Sequence, residues 1–174
     1  MMNLIVTCAR HLEGDAEDEL IDILDELGDP NIKITVSNMS GIITVQTKLD
    51  PIEVVRKMKE KLLDEPWSIR YCLRVIPIQK VIETSIDEIQ KAVSNISNQI
   101  EEKESYRILI EKRNSDISSK EIITKIANGI KNKVSLEFPD KVILIEILGN
   151  KTGISILKKS DVLSIEKTKR SISE

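Results

Sequence analysis

The sequence predicts an α/β chain of the α+β kind, organised as two units in series, and three observations predict it. Residues 3–76 run strand, helix, strand, strand, helix, strand. From residue 77 onward a second series begins, in which helices with apolar stripes again separate β-branched runs. Charge is also uneven along the chain: residues 1–68 hold 7 basic and 14 acidic side chains, and residues 69–174 hold 19 and 15. The net charge of −3 therefore hides an acidic front that repels a polyanion and a basic rear that attracts one.

Leu4-Ile5-Val6-Thr7-Cys8-Ala9 reads as a short buried strand, being apolar and β-branched. A helix follows, with Ala16, Leu20, Ile23, Leu24 and Leu27 at helical spacing, Asp15 as its cap and Gly28 as its stop. Ile32, Ile34 and Val36 alternate with polar residues before Ser40-Gly41 turns the chain into Ile42-Ile43-Thr44-Val45, a β-hairpin. Asp50, Pro51 and Glu53 open a second helix with Val55, Met58 and Leu62 inward, and Pro66 closes it. Ile69, Tyr71, Leu73 and Val75 then alternate with Arg70, Cys72 and Arg74 as the last strand of a ferredoxin-like order over 1–76.

The second unit, 77–165, opens with a helix capped by Ser85 and Glu88, with Ile86, Ile89, Val93, Ile96 and Ile100 on one face. A strand through Tyr106, Ile108 and Ile110 runs into Lys112-Arg113-Asn114. Ser118 and Glu121 then cap a helix that turns Ile122, Ile123, Ile126, Ala127 and Ile130 inward and Lys120, Lys125 and Lys131 outward. Residues 134–138 read as a short strand, and Val142–Leu148 and Gly153–Leu157 as a pair around a Gly149-Asn150-Lys151-Thr152 turn. Residues 166–174, with Lys167, Lys169 and Arg170, are expected to form a flexible basic tail.

Several chemistries lack their residues. Six glycines form no phosphate loop, and His11, the one histidine, has neither a metal-ligand neighbour nor a serine elbow to assist. Cys8 and Cys72 lie in separate strand-like runs and read as buried, reduced thiols. The acidic run Glu13, Asp15, Glu17, Asp18, Glu19 and Asp22 reads as an exposed helix face, with docking of a basic protein as its alternative. No apolar run approaches the roughly 18 residues that span a bilayer and the Met1-Met2-Asn3 start lacks a basic segment followed by a long apolar stretch, so a cytoplasmic protein without membrane attachment is expected. Trp67, Tyr71, Tyr106 and Phe138 are too few to make a row of stacking rings, and the two tyrosines read as core.

The stretch Ser105–Asn114, the Ser-capped helix after it and Val134-Ser135-Leu136-Glu137-Phe138-Pro139-Asp140 together resemble a THUMP domain. Arg70-Tyr71-Cys72-Leu73-Arg74-Val75-Ile76-Pro77-Ile78 resembles the segment by which that family joins its ferredoxin-like domain to THUMP, and Gly153-Ile154-Ser155-Ile156 its closing strand. In size and order the chain is most similar to the stand-alone THUMP adaptor of the transfer-RNA cytidine acetyltransferase, which deposits N4-acetylcytidine. The resemblance implies recognition of the acceptor stem and single-stranded 3′ end of transfer RNA, with acetyl donor and nucleotide chemistry left to the partner enzyme. No cofactor or metal is expected on this chain. With no residues left over for a catalytic domain, it is expected to be a non-catalytic adaptor.

Carried onto this sequence, the resemblance selects Lys112, Arg113 and Asn114, with Arg70 and Arg74 in the connecting segment. Lys120 and Lys125 on the next helix supply further phosphate donors. Pro139-Asp140 is a hallmark of the family whose physical content is a turn between strands. Without the resemblance, the basic helix face would be read as merely solvated. The alternatives are a THUMP subunit serving thiolation or methylation, a catalytic domain separated from this segment, and a ferredoxin-like module with an apolar small-ligand pocket.

Overall fold

The structure is a computed structural model that describes residues 1–173. Contacts divide the chain into Met1–Ile78 together with the segment from Asp161 onward, and Gln79–Ser160.

In the first unit, β1 (Leu4–Cys8), α1 (Glu13–Leu27), β2 (Lys33–Val36), β3 (Ile42–Gln46), α2 (Pro51–Asp64) and β4 (Cys72–Pro77) follow in the expected order. The antiparallel sheet is ordered β2-β3-β1-β4, and a two-residue strand β9 (Leu163–Ser164) adds to its β4 edge. Leu20, Leu24, Met58 and Leu62 from the helices meet Leu4, Val6, Ile43 and Val45 from the sheet in one core. Each such fully buried side chain contributes about 1.5–3 kcal/mol by leaving water.

Three details depart from the expected reading. The start of α1 is at Glu13, Leu12 in the cap position offers no side-chain bond, and Asp15 does not cap it. Glu13 instead reaches across to accept from Gly41 N at 2.9 Å. Gly41 is required there: its φ is +75° and a Cβ would sit 2.6 Å from the Cys8 carbonyl oxygen. In β4 the pairing slips between Thr7 and Cys8, so that Arg74 faces Thr7 while Cys72 faces Cys8. Leu73 becomes the extra residue of a bulge and is exposed, and Cys72 takes the buried place.

Finally, the tail expected over 166–174 is an ordered helix, α5 (Ile165–Ser173); Glu174 lies outside the described residues. Ile165 and Thr168 are buried, and α5 packs on α2 and β4. The Thr168 hydroxyl donates to Ser164 O at 2.8 Å. Ile165 and Thr168 on one face are enough for a helix that has a surface to lie on, and Ile172 beyond them is exposed.

The second unit holds β5 (Lys80–Glu83), α3 (Ile86–Ile96), β6 (Tyr106–Arg113), α4 (Ser119–Gly129), β7 (Lys141–Leu148) and β8 (Lys151–Leu157), with sheet order β5-β8-β7-β6. Strands β6 and β7 are parallel and the other pairs antiparallel. Strand β5 went unread in the sequence because four half-exposed residues carry little pattern. Ser85 accepts from Glu88 N and Ser118 from Glu121 N, as the capping motifs require. Ile89 and Val93 of α3 and Ile122 and Ile126 of α4 pack on Ile143, Ile145, Ile154 and Ile156. Ile123, expected inward, is exposed, since an eleven-residue helix on a sheet buries a narrower stripe. Residues 134–138 are not a strand: one isolated bridge, Tyr106 to Val134, is all the pairing they make.

Candidate nucleic-acid interface

The residues singled out by the sequence fall in both units. In the first, Arg70 is exposed in the loop before β4 and its guanidinium lies 5.8 Å from the Tyr71 ring centroid. The loop is held from α1: the Glu19 carboxylate accepts from the backbone N–H groups of Arg70, Tyr71 and Cys72 at 2.8, 3.1 and 3.0 Å. Three successive amides around one anion fix the loop's path. The same loop leaves Trp67 70% exposed. Arg74 is half-buried in β4, opposite Thr7 on one side and Ser164 on the other.

In the second unit the carboxyl end of β6 leads through residues 114–118 into the N-terminus of α4. This junction carries Lys112, Arg113, Asn114 and Lys120. Asn114 adopts the left-handed region, with φ +54°, and turns the chain off the strand. Lys112 Nζ donates to Ile117 O at 2.9 Å, which ties the junction closed and holds the ammonium at its surface. Gly149 N donates to Arg113 O at 2.9 Å, so the β7–β8 turn lies beside it. Lys120 sits in the first turn of α4 and is exposed. The positive end of that helix adds a field favourable to anions. Asp116 and Glu121 are the exposed carboxylates of the same stretch and moderate that field.

Two of the expected donors are ion-paired. Arg113 is 30% exposed at its side chain, and its Nη1 lies 3.4 Å from Oε2 of Glu146, a carboxylate with no exposed surface. Lys125, one and a half turns along α4, donates to Asp87 Oδ1 at 2.8 Å, and this bond holds the Asp87 carboxyl below its ordinary range. The structure thus groups Lys112, Arg113, Asn114 and Lys120 at one junction and directs Lys125 toward α3.

Charge is less lopsided by unit than by sequence half. The cations Lys167, Lys169 and Arg170 belong with the first unit, and residues 79–160 hold 14 basic against 12 acidic side chains. The second unit taken alone is therefore close to neutral.

Pro139-Asp140 has the structural role its chemistry implies. Asp140 Oδ2 accepts from Ser105 N at 2.8 Å and from Ser105 Oγ at 3.1 Å, which lowers its pKa, and Asp140 N donates back to Ser105 O. The turn locks the entry to β7 against the entry to β6.

Among the described residues no group of three or more His, Cys, Asp or Glu could hold a metal. No helix of the described residues is long and apolar enough to cross a membrane. A cavity of about 390 Å³ in the first unit is lined by Asp15, Asp18, Glu19, Asp22 and Glu26 with Ile23 and Tyr71, so it is carboxylate-rich rather than apolar. Of the acidic run expected to be solvated, Glu13 and Glu19 are internal acceptors instead.

Residues 83–157 match the model of the THUMP domain family. An uncharacterized protein of Methanocaldococcus jannaschii is 27% identical over 178 residues, which covers 99% of this chain and 46% of that protein. The crystal structure of TrmN from Thermus thermophilus superposes with a TM-score of 0.64 at 14% identity, covering 90% of this chain and 45% of that one. A 4-thiouridine synthetase solved as an RNA complex with bound ATP has a TM-score of 0.50 at 13% identity, covering 91% of this chain and 42% of that one. The chain spans about half the length of the relatives it matches, and the shared part is the fold.

Proposed function

We propose, on the premise that residues 83–157 are a THUMP domain, that this chain binds transfer RNA at the acceptor stem and 3′ end and serves an enzyme that modifies it. The observation that carries the reading is the β6–α4 junction, where Lys112, Arg113, Asn114 and Lys120 meet the amino end of a helix. Phosphate oxygens are the ligand such a group suits, because fixed cations and free N–H groups both point to an anion. On the first unit, Arg70 in the loop held by Glu19 and Arg74 in a β-paired strand are separate candidate donors. A synthetase of similar fold that was solved with RNA supports the same reading.

In this proposal the chain is a non-catalytic adaptor that uses no cofactor, and its partner is the cytidine acetyltransferase that forms N4-acetylcytidine in the cytoplasm. Tethering RNA and enzyme on one adaptor raises the effective concentration of each for the other. Service to a thiolation enzyme is the second reading, favoured by the likeness to the 4-thiouridine synthetase.

Filter binding with transfer RNA at several salt concentrations tests the first claim. Affinity is expected to fall by about 0.7–0.9 log units per log unit of salt for each phosphate neutralised. Lys120→Glu should weaken binding more than Lys125→Glu, since Lys125 is committed to Asp87. Salt-independent binding, or none, would refute RNA capture. Normal N4-acetylcytidine in transfer RNA from cells lacking this chain would refute the acetyltransferase partnership alone.

A further inference from the structure

The segment between α4 and β7 combines two properties that rarely coincide, tight anchoring and outward apolar side chains. Its backbone is tied to residues 101–107 along its length. Asn132 Nδ2 donates to Glu101 O at 2.7 Å and Glu104 O at 3.0 Å, and Tyr106 N donates to Lys133 O at 3.0 Å. Ser135 N donates to Tyr106 O at 3.0 Å, Arg107 Nη1 donates to Leu136 O at 3.1 Å, and Asp140 exchanges bonds with Ser105. Phe138 N donates to Ser135 Oγ at 3.3 Å. A loop so fastened has little conformational entropy left to lose on binding.

Yet Val134, Leu136 and Phe138, at alternate positions, are 50%, 68% and 84% exposed. Neighbouring apolar groups left in water on a rigid support mark a contact surface. The same loop carries Lys131 and Lys133, and Arg107 reaches it through Leu136 O with N–H groups to spare; none of the three is ion-paired among the described residues. Glu137 is the loop's unengaged carboxylate; Asp140 is held by Ser105.

From this arrangement we infer that Phe138 is a stacking platform for an unpaired nucleotide of the bound RNA, with Lys131, Lys133 and Arg107 beside it for the nucleotide's phosphate. A nucleotide offers a planar apolar base and an anionic phosphate a few ångströms apart, and the loop displays the complement of both. The ring needs no hydrogen bonds to the base, so the contact tolerates any base identity. The inference rests on the RNA-binding reading above and adds a residue that the β6–α4 junction does not contain.

The test is the affinity of the full chain for end-labelled transfer RNA, measured for the native protein and for Phe138→Ala, Phe138→Leu and Phe138→Trp. Phe138 is so exposed that none of these changes removes core packing. Loss of one base–aromatic stack weakens binding about 5- to 150-fold. That loss is expected for Ala and most of it for Leu, while Trp should match or exceed the native protein. The slope against salt should stay unchanged for all three but shrink by about one unit for Lys133→Gln. If native protein binds and Phe138→Ala binds within twofold of it, or Leu replaces Phe without loss, the stacking site is refuted and RNA binding stands. If Phe138→Ala retains RNA but loses the partner enzyme in co-purification, the loop is a protein-docking surface and the inference is refuted likewise. Native protein that fails to bind transfer RNA at all refutes the RNA-binding reading and this inference with it.

Discussion

Asp29 is the most informative residue to perturb in the first unit, because its carboxylate is buried and every contact that keeps it there is known. Oδ2 accepts from Thr47 Oγ1 at 2.6 Å and from Lys48 N at 2.9 Å, and Oδ1 accepts from Asn31 N at 3.1 Å. Gly28 ends α1 immediately before it, and β3 ends immediately before Thr47, so the carboxylate staples the exit of a helix to the exit of a strand. Asp29→Asn keeps the volume but replaces one acceptor oxygen with a donor. Whichever way the amide turns, at least one of three donors loses its partner in a buried site. A lost bond to a charged acceptor costs about 1.5–3 kcal/mol, so about 2 kcal/mol is expected for Asn, and about 3–5 kcal/mol for Ala, which removes all three.

The pH dependence carries a second signature. The Thr47 hydroxyl, then the Lys48 and Asn31 amides, hold the Asp29 carboxyl below the ordinary aspartate range against the opposing effect of burial. A depressed folded-state pKa means that the unfolded chain takes up the proton first. The stabilisation is therefore complete above the unfolded value near pH 4 and disappears as pH falls through the folded one. Hydrogen exchange read by mass spectrometry on peptides covering 42–48 measures the first unit's opening free energy without assuming one transition for the whole chain. Native protein should lose protection progressively as pH falls below about 4, and Asp29→Asn should start lower and lose less over the same range. Equal protection at pH 7, or identical acid slopes in the two proteins, would refute the account.

Arg113→Met should destabilise the second unit by about 2–4 kcal/mol, because it strips a cation from the buried Glu146. Arg113→Met with Glu146→Met should recover much of that in exchange on β6 and β7 peptides, and a double variant no better than the single one would disprove the pairing. Glu19→Ala should lower protection of the Arg70, Tyr71 and Cys72 amides by about 1–2 kcal/mol and leave β3 unchanged, since their acceptor is one carboxylate. Burial raises the pKa of both Cys8 and Cys72, and the two face each other across β1 and β4. Iodoacetamide at pH 8 should therefore label neither thiol in folded protein and both in urea; rapid labelling of Cys72 in native buffer would contradict its burial.

The elements legible from the amino-acid order were those whose cause is local. Asp50 before Pro51, Ser85 before Glu88 and Ser118 before Glu121 fixed helix starts because a cap is a contact within four residues. The apolar, β-branched runs of β1, β3 and β7 fixed strands for the same reason, and the cluster Lys112-Arg113-Asn114 stands at a strand end as a string of letters.

What the order of residues left open depended on partners far along the chain. Cys72 rather than Leu73 is buried because a bulge against β1, more than sixty residues away, sets the register. Residues 165–173 form a helix because α2 and β4 give their weak stripe a surface. Arg113 and Lys125 look alike in sequence to Lys112 and Lys120, yet Glu146 and Asp87 claim them, and only folding brings those carboxylates within reach. Val134, Leu136 and Phe138 have the spacing of a buried strand. Tertiary structure left them in water because hydrogen bonds to Ser105, Tyr106 and Arg107 tie their backbone down without placing anything over their side chains.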